Sequence, residues 1–165
     1  MKTLDARALR GVEQKMDDVV ILAEEAIKQT KVYGRRCEEN HWALPSEERC
    51  PKCQKRTRPI LQRAQLSNLQ SLANATDSVK ALELFIRYQM GRKEGRGWQY
   101  SGDSDKPFGY LVIDDFDTLA RWAEEIAPSQ KREVHLWLIR LYVGYLSRWF
   151  VALGGETAGE GGEEG

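Results

Sequence analysis

Residues 130–153 read QKREVHLWLIRLYVGYLSRWFVAL. Apolar residues fall on every side of a helix drawn through this stretch, so it has no solvent stripe to spare. Such a helix is buried on most sides or shared with a partner. A membrane span is the other reading of so apolar a run. It is disfavoured because His135, Arg140 and Arg148 lie within the run, and charges at the centre of a lipid-crossing helix are costly. The stretch therefore reads as a central core helix, and the rest of the chain has to supply the helices around it.

Working outward, Pro128-Ser129 separates this helix from one over about 114–126, opened by Asp114 and Asp115, whose charge suits the positive end of a helix dipole. Residues 94–109 are rich in glycine and aspartate and have no period, so they read as a loop; only Gly109–Ile113 hints at strand alternation. Earlier still, Val79, Leu82, Phe85, Ile86 and Gln89 run to Gly91 at helical spacing. Before the break at Asn74-Ala75-Thr76-Asp77, a helix opened by Thr57-Arg58-Pro59 buries Ile60, Ala64, Leu69, Leu72 and Ala73. At the N-terminus, Leu9, Val12, Met16, Val19, Ala23 and Ile27 form one stripe on a long helix over 4–31. The expectation is an all-α class: a small bundle of about five helices in a single domain over 1–153, with residues 154–165 a disordered acidic, glycine-rich tail.

One segment breaks the helical pattern. All three cysteines and one of the two histidines fall within residues 37–53, as Cys37-x3-His41 followed by Cys50-Pro-Lys-Cys53. Four soft or borderline ligands in two close pairs suit tetrahedral zinc, and Cys37 and His41 at i, i+4 would share one helical face. A redox Cys-x-x-Cys pair wants a βαβ setting that is not visible, and three unrelated cysteines beside a surface histidine is the bland alternative. The zinc reading makes residues 32–57 a metal-clipped loop inserted in the bundle. Four protein ligands leave no position for water, so such a zinc is structural.

The formal balance is 25 bases against 25 acids. Removing the four glutamates of the tail (Glu156, Glu160, Glu163, Glu164) leaves 25 against 21. Between Lys31 and Arg63 nine bases face four acids, a balance compatible with a nucleic-acid surface. A second concentration, Arg87, Arg92, Lys93 and Arg96, lies beside Tyr88, Trp98 and Tyr100 and suits phosphate contact with base stacking. The competing reading is a solvated helix end. The charged N-terminus has no secretory pattern, and an odd number of cysteines fits a reducing compartment; the expectation is a cytoplasmic protein. Catalysis finds little support: Asp103, Asp105, Asp114, Asp115 and Asp117 read as turn and cap residues, and His135 as a core histidine. The expectation is that the chain is not an enzyme.

Arg63-x-Gln65-Leu66-Ser67-Asn68-Leu69 and Phe85-Ile86-Arg87-Tyr88-Gln89-Met90-Gly91-Arg92, with Arg140 to Phe150 before Gly154-Gly155, resemble the small helical subunit of type III (Csm-type) CRISPR interference complexes. The resemblance covers about residues 60–155. Asn68 stands where that family often carries a base, and the 32–57 and 94–109 segments look like insertions. The resemblance implies a non-catalytic subunit. Copies of it stack along a ribonucleoprotein, hold the backbone of guide RNA and target RNA without reading sequence, and touch the other subunits. Arg56, Arg58, Arg63, Arg87, Arg92, Lys93 and Arg96 are the RNA-binding candidates. The rival readings are a zinc-containing helical adaptor that binds protein through its last helix, and a DNA-binding regulator. The regulator needs a recognition helix, to which the break at 74–77 does not commit.

Overall fold

The computed structural model describes residues 3–155, so most of the expected tail, 156–165, lies outside the described residues. Six α-helices carry the described chain: α1 (Ala6–Gln14), α2 (Met16–Thr30), α3 (Arg63–Ala75), α4 (Val79–Gly91), α5 (Phe108–Ile126) and α6 (Lys131–Ala152). The last of these is the axis. It packs along α2, α3 and α5 and buries Val134, Leu138, Ile139, Tyr142, Val143, Leu146 and Phe150, each worth about 1.5–3 kcal/mol when fully buried.

The polar groups of α6 are what tie the neighbours to it. His135 Nε2 donates to the Phe116 carbonyl of α5 at 2.8 Å. Arg140 Nε donates to the Ala73 carbonyl at 2.7 Å and its Nη2 to that of Thr76 at 3.0 Å, satisfying carbonyls that the end of α3 leaves open. Trp149 Nε1 donates to the Val20 carbonyl of α2 at 3.1 Å. Among the described residues, no helix is long and apolar enough to cross a membrane.

The helical class holds, but all-α is corrected. Three short strands, β1 (Arg35–Cys37), β2 (Trp42–Ala43) and β3 (Thr57–Pro59), form an antiparallel sheet in the order β2-β1-β3. Thr57-Arg58-Pro59 is thus the third strand, not a helix start. Pro59 is tolerated because β3 is an edge strand and needs no donor on its free side. The helix begins instead at Arg63, behind a capping box in which the Gln62 N–H donates to Gln65 Oε1 at 3.0 Å and the Gln62 side chain accepts from the Gln65 N–H.

Two other boundaries move. The long N-terminal helix breaks at Lys15, whose N–H is shared between the Gly11 and Val12 carbonyls. The fourth expected helix starts at Phe108, six residues before Asp114, so Gly109–Ile113 is helical and not a strand. Nor is 94–109 a slack loop: a 3-10 turn over Lys93–Gln99 drives Trp98 into the core, where it is fully buried and stacks on Phe108 at 5.3 Å.

Candidate metal centre and basic groove

The sheet exists to hold one constellation. Cys37 ends β1, and the chain reverses through Asn40, at φ +64, to bring His41 back beside it; the Cys37 N–H donates to the His41 carbonyl at 3.1 Å. A second reversal over 50–55 passes through Gln54 at φ +63, with Cys50 N–H on the Lys55 carbonyl and Gln54 N–H on that of Cys50, both at 2.8 Å. The two turns face each other. Cys37 and His41 therefore meet across a hairpin turn, not along the helical face that the i, i+4 spacing implied. The hairpin is anchored to the body by Trp42, whose Nε1 donates to the Lys31 carbonyl at 3.1 Å. Glycine is required at Gly34, because a Cβ there would land 2.4 Å from the Trp42 indole.

Cys37, His41, Cys50 and Cys53 can hold a metal ion: their ligand atoms all lie within 4.8 Å of one another, and the three cysteines are free. The edges are a sharper test. His41 Nδ1 is 3.5 Å from both Cys37 Sγ and Cys50 Sγ, and Cys53 Sγ is 3.7 Å from Cys37 Sγ. A tetrahedral site with bonds of about 2.3 Å to sulfur and 2.0–2.1 Å to nitrogen has edges of about 3.8 Å and 3.5–3.6 Å. The donor set fits.

Its electrostatics agree. Burial pushes the Cys50 thiol up, but the N–H groups of Cys53 and Lys52 and the side chains of Cys53 and His41 outweigh it and bring Cys50 down to about 6. The Lys52 N–H donates to Cys50 Sγ at 3.4 Å. For Cys53, the N–H of Lys55 lowers the thiol, while burial and the Cys50, Cys37 and Glu39 side chains push it up to about 12. A cation among the three sulfurs removes that opposition, since a coordinating thiol is deprotonated outright.

Beside the centre runs a groove of about 840 Å³. The segment that carries the four candidate ligands lines one wall with Arg36, Arg49, Lys55, Arg56 and Arg58; the 3-10 turn lines the other with Lys93 and Arg96, and Gln62 and Gln65 at the start of α3 close it. Among the described residues, the acid on these walls is Glu38, which pairs with Lys55 at 3.3 Å, as does Glu39 beside it at 3.6 Å. Arg36 lies over the Tyr100 ring at 5.5 Å. Burial lowers its guanidinium below the ordinary value, Tyr100 opposes this, and the like charge of Arg96 adds to it. Two guanidiniums brought near each other favour an anion beside them.

Of the seven expected RNA-binding residues, the groove gathers four: Arg56, Arg58, Lys93 and Arg96. Arg63 is the first residue of α3, beside Gln62, but is not on the wall. Arg87 on α4 and Arg92 just past its end lie elsewhere, over the exposed rings of Tyr110 and Tyr88, each at 5.6 Å. Sequence reasoning missed Arg36, Arg49 and Lys55. The available signal was their position, each within two residues of a metal-ligating cysteine. The α6 aromatics are largely spent within the fold: Tyr142 is buried and Trp137, Tyr145 and Trp149 pack against the core. Compared with known proteins, the chain matches no family model, no curated protein and no solved structure.

Proposed function

We propose that this chain is a non-catalytic RNA-binding structural protein that holds a phosphate backbone in the groove beside a zinc-stapled clip. The observation that carries the reading is the convergence, among the described residues, of seven bases against one acid in a single groove, drawn from two walls far apart in sequence. Arginines and lysines in this arrangement contact phosphates and carry no base-edge code, so the grip is without sequence preference. Zinc is the metal proposed for the clip, because three thiolates and an imidazole at tetrahedral edges are its preferred set. Its four protein ligands make it structural. The finer proposal follows from the resemblance of 60–155: a small, stacking subunit of a type III CRISPR effector, placed along guide and target RNA.

The test of the grip is salt dependence. For single-stranded RNA the affinity should fall with a log–log slope of up to about −5 if all seven bases engage phosphates, at about 0.7 per contact. Arg56→Glu with Arg58→Glu should flatten that slope by about 1.4 and weaken binding at least about tenfold near 0.1 M salt. Salt-independent binding, or binding unaltered in the double variant, removes the groove from the reading. The finer proposal is tested by tagged purification from the native host, where short RNAs of uniform length and several stoichiometric proteins are expected. A single protein partner without RNA favours the adaptor.

A further inference from the structure

The thiols of this chain are confined to one wall of the groove. All three cysteines lie within residues 37–53, and the helical body has none. Cys37 itself lines the groove, Arg36 and Arg49 directly precede Cys37 and Cys50, and Lys55 is two residues past Cys53. Among the described residues, five of the seven groove bases therefore stand on the segment that a metal ion would fasten.

That wall is poorly held by its own strands. Arg36 stands opposite Arg58 across β1 and β3, and Arg49 bridges to Arg56. Like charges directly opposite in a ladder are destabilising, and these strands are only two or three residues long. Cys37 stands opposite Thr57 in the same register, between Arg56 and Arg58. The ligands thus tie down the residues that repel one another, and loss of the metal frees both arginine pairs.

The cluster also carries a route to its own release. Cys37 and Cys50 are buried, whereas Cys53 is partly exposed. A cysteine on a metal is a thiolate, and oxidation follows thiolate character and exposure. Cys53 is the sulfur that an oxidant from solvent meets first. Its Sγ lies 3.7 Å from Cys37 Sγ, so a disulfide of about 2.05 Å needs a closure of about 1.7 Å.

We propose that Cys53 and Cys37 are an oxidative modification site, at which a peroxide forms a disulfide, releases the metal and opens the basic groove. The Cys53 thiolate attacks one oxygen of hydrogen peroxide; an S–O bond forms, the O–O bond breaks and hydroxide leaves. The Cys37 thiolate then attacks Cys53 Sγ; the S–S bond forms, the S–O bond breaks and a second hydroxide leaves. Two thiolates lose two electrons, and the peroxide is reduced to two hydroxides, which solvent protonates to water. His41 and Cys50 remain as two ligands where a structural zinc needs four. The modification rests on the zinc clip, and its effect on RNA rests on the function proposed above.

The experiment treats the zinc-loaded full chain with millimolar hydrogen peroxide. A chelating dye should register the zinc released, and peptide mass spectrometry should find a Cys37–Cys53 disulfide. Hydrogen exchange should accelerate over residues 35–59 while α5 and α6 stay protected. Affinity for an oligouridine RNA should fall about tenfold or more, because five of the seven groove bases lose their placement. Dithiothreitol with added zinc should restore both zinc and RNA binding. The control is Cys53→His, which offers a Cys2His2 set that zinc accepts and removes one sulfur of the disulfide; it should keep zinc and RNA through the same treatment. Zinc retained by the parent chain overturns the inference, as does equal zinc loss in Cys53→His. Disulfide and zinc loss with RNA affinity unchanged overturns the opening of the groove while leaving the RNA-binding function intact. Disulfide, zinc loss and fast exchange in a protein that binds no RNA before treatment uphold the modification and overturn the function instead.

Discussion

The helical body and the metal clip are two solutions to the same problem at different sizes. The body, around α6, buries a continuous core that includes Trp98, Phe108, Phe116, Tyr142 and Phe150. The clip, residues 35–59, has strands of two or three residues and fully covers little beyond Cys37, Ala43, Cys50 and Thr57. Apolar burial at about 25 cal/mol per Å² sustains the first and cannot sustain the second. What the clip lacks in core, a metal ion held by Cys37, His41, Cys50 and Cys53 would replace, and the groove wall it carries would then depend on chemistry that the body does not share.

The largest expected effect breaks the comparison at that point. Freshly prepared reduced protein should hold about one zinc per chain. Stripping it with a chelator, or Cys50→Ser, should open residues 35–59 to rapid hydrogen exchange while the amides of α5 and α6 stay protected. Apparent binding energies of about 10–16 kcal/mol for thiolate-rich zinc peptides exceed anything the clip's buried side chains supply. Protein without metal, or a clip equally protected after chelation, would sink the idea that the two regions are held differently.

A smaller effect tests the body. Trp98 is wholly buried, yet its Nε1 has no hydrogen-bond partner among the described residues, a deficit of about 1–3 kcal/mol. Trp98→Ala should therefore cost about 3–5 kcal/mol in denaturant unfolding. Trp98→Phe keeps a ring against Phe108 and removes the orphan donor, and should cost under about 2 kcal/mol. Metal content should be unchanged in both. Equal costs for the two variants would mean that a ring retained against Phe108 contributes nothing to stability.

The two regions also differ in how far their sequences could be read. Helix α6 was legible because an apolar surface all round has few meanings, and Val79–Gly91 because Leu82, Phe85 and Ile86 keep the helical period. The metal ligands were legible because their identities and spacing carry the chemistry whatever the backbone does. The backbone that joins them was not. Strands of two or three residues are too short to show alternation, and Thr57-Arg58-Pro59 carries the same proline signal as a helix start. The period of α5 was hidden differently: Gly109 and the polar run before it read as loop, although Phe108 and Trp98 anchor that stretch in the core. The groove was half visible, because bases can be counted along the chain but the face they share is set by pairings such as Arg36 with Arg58.

The smallest effect sharpens the comparison through pH, because the two regions should respond with opposite sign. In the body, Asp115 of α5 is mostly buried and accepts a hydrogen bond from Tyr142. Burial raises its carboxyl to about 7; the Tyr142 bond opposes this, and the nearby charges of Asp114 and Glu25 add to it. A carboxyl whose pKa is higher folded than unfolded favours the fold fully below about 4, and that contribution is lost as pH rises through about 7. The shift sets an upper bound of about 4 kcal/mol. Asp115→Asn keeps an oxygen for the Tyr142 hydroxyl and cannot ionise, so its unfolding free energy should not decline between pH 4 and 7 as that of the parent does. The clip must move the other way: its thiolates and imidazole compete with protons for the metal, so acid releases the ion and opens residues 35–59. Urea unfolding followed by α-helical signal, alongside metal release followed with a chelating dye, across pH 4–8 checks both. A parallel pH dependence of the two signals would show that body and clip unfold as one unit.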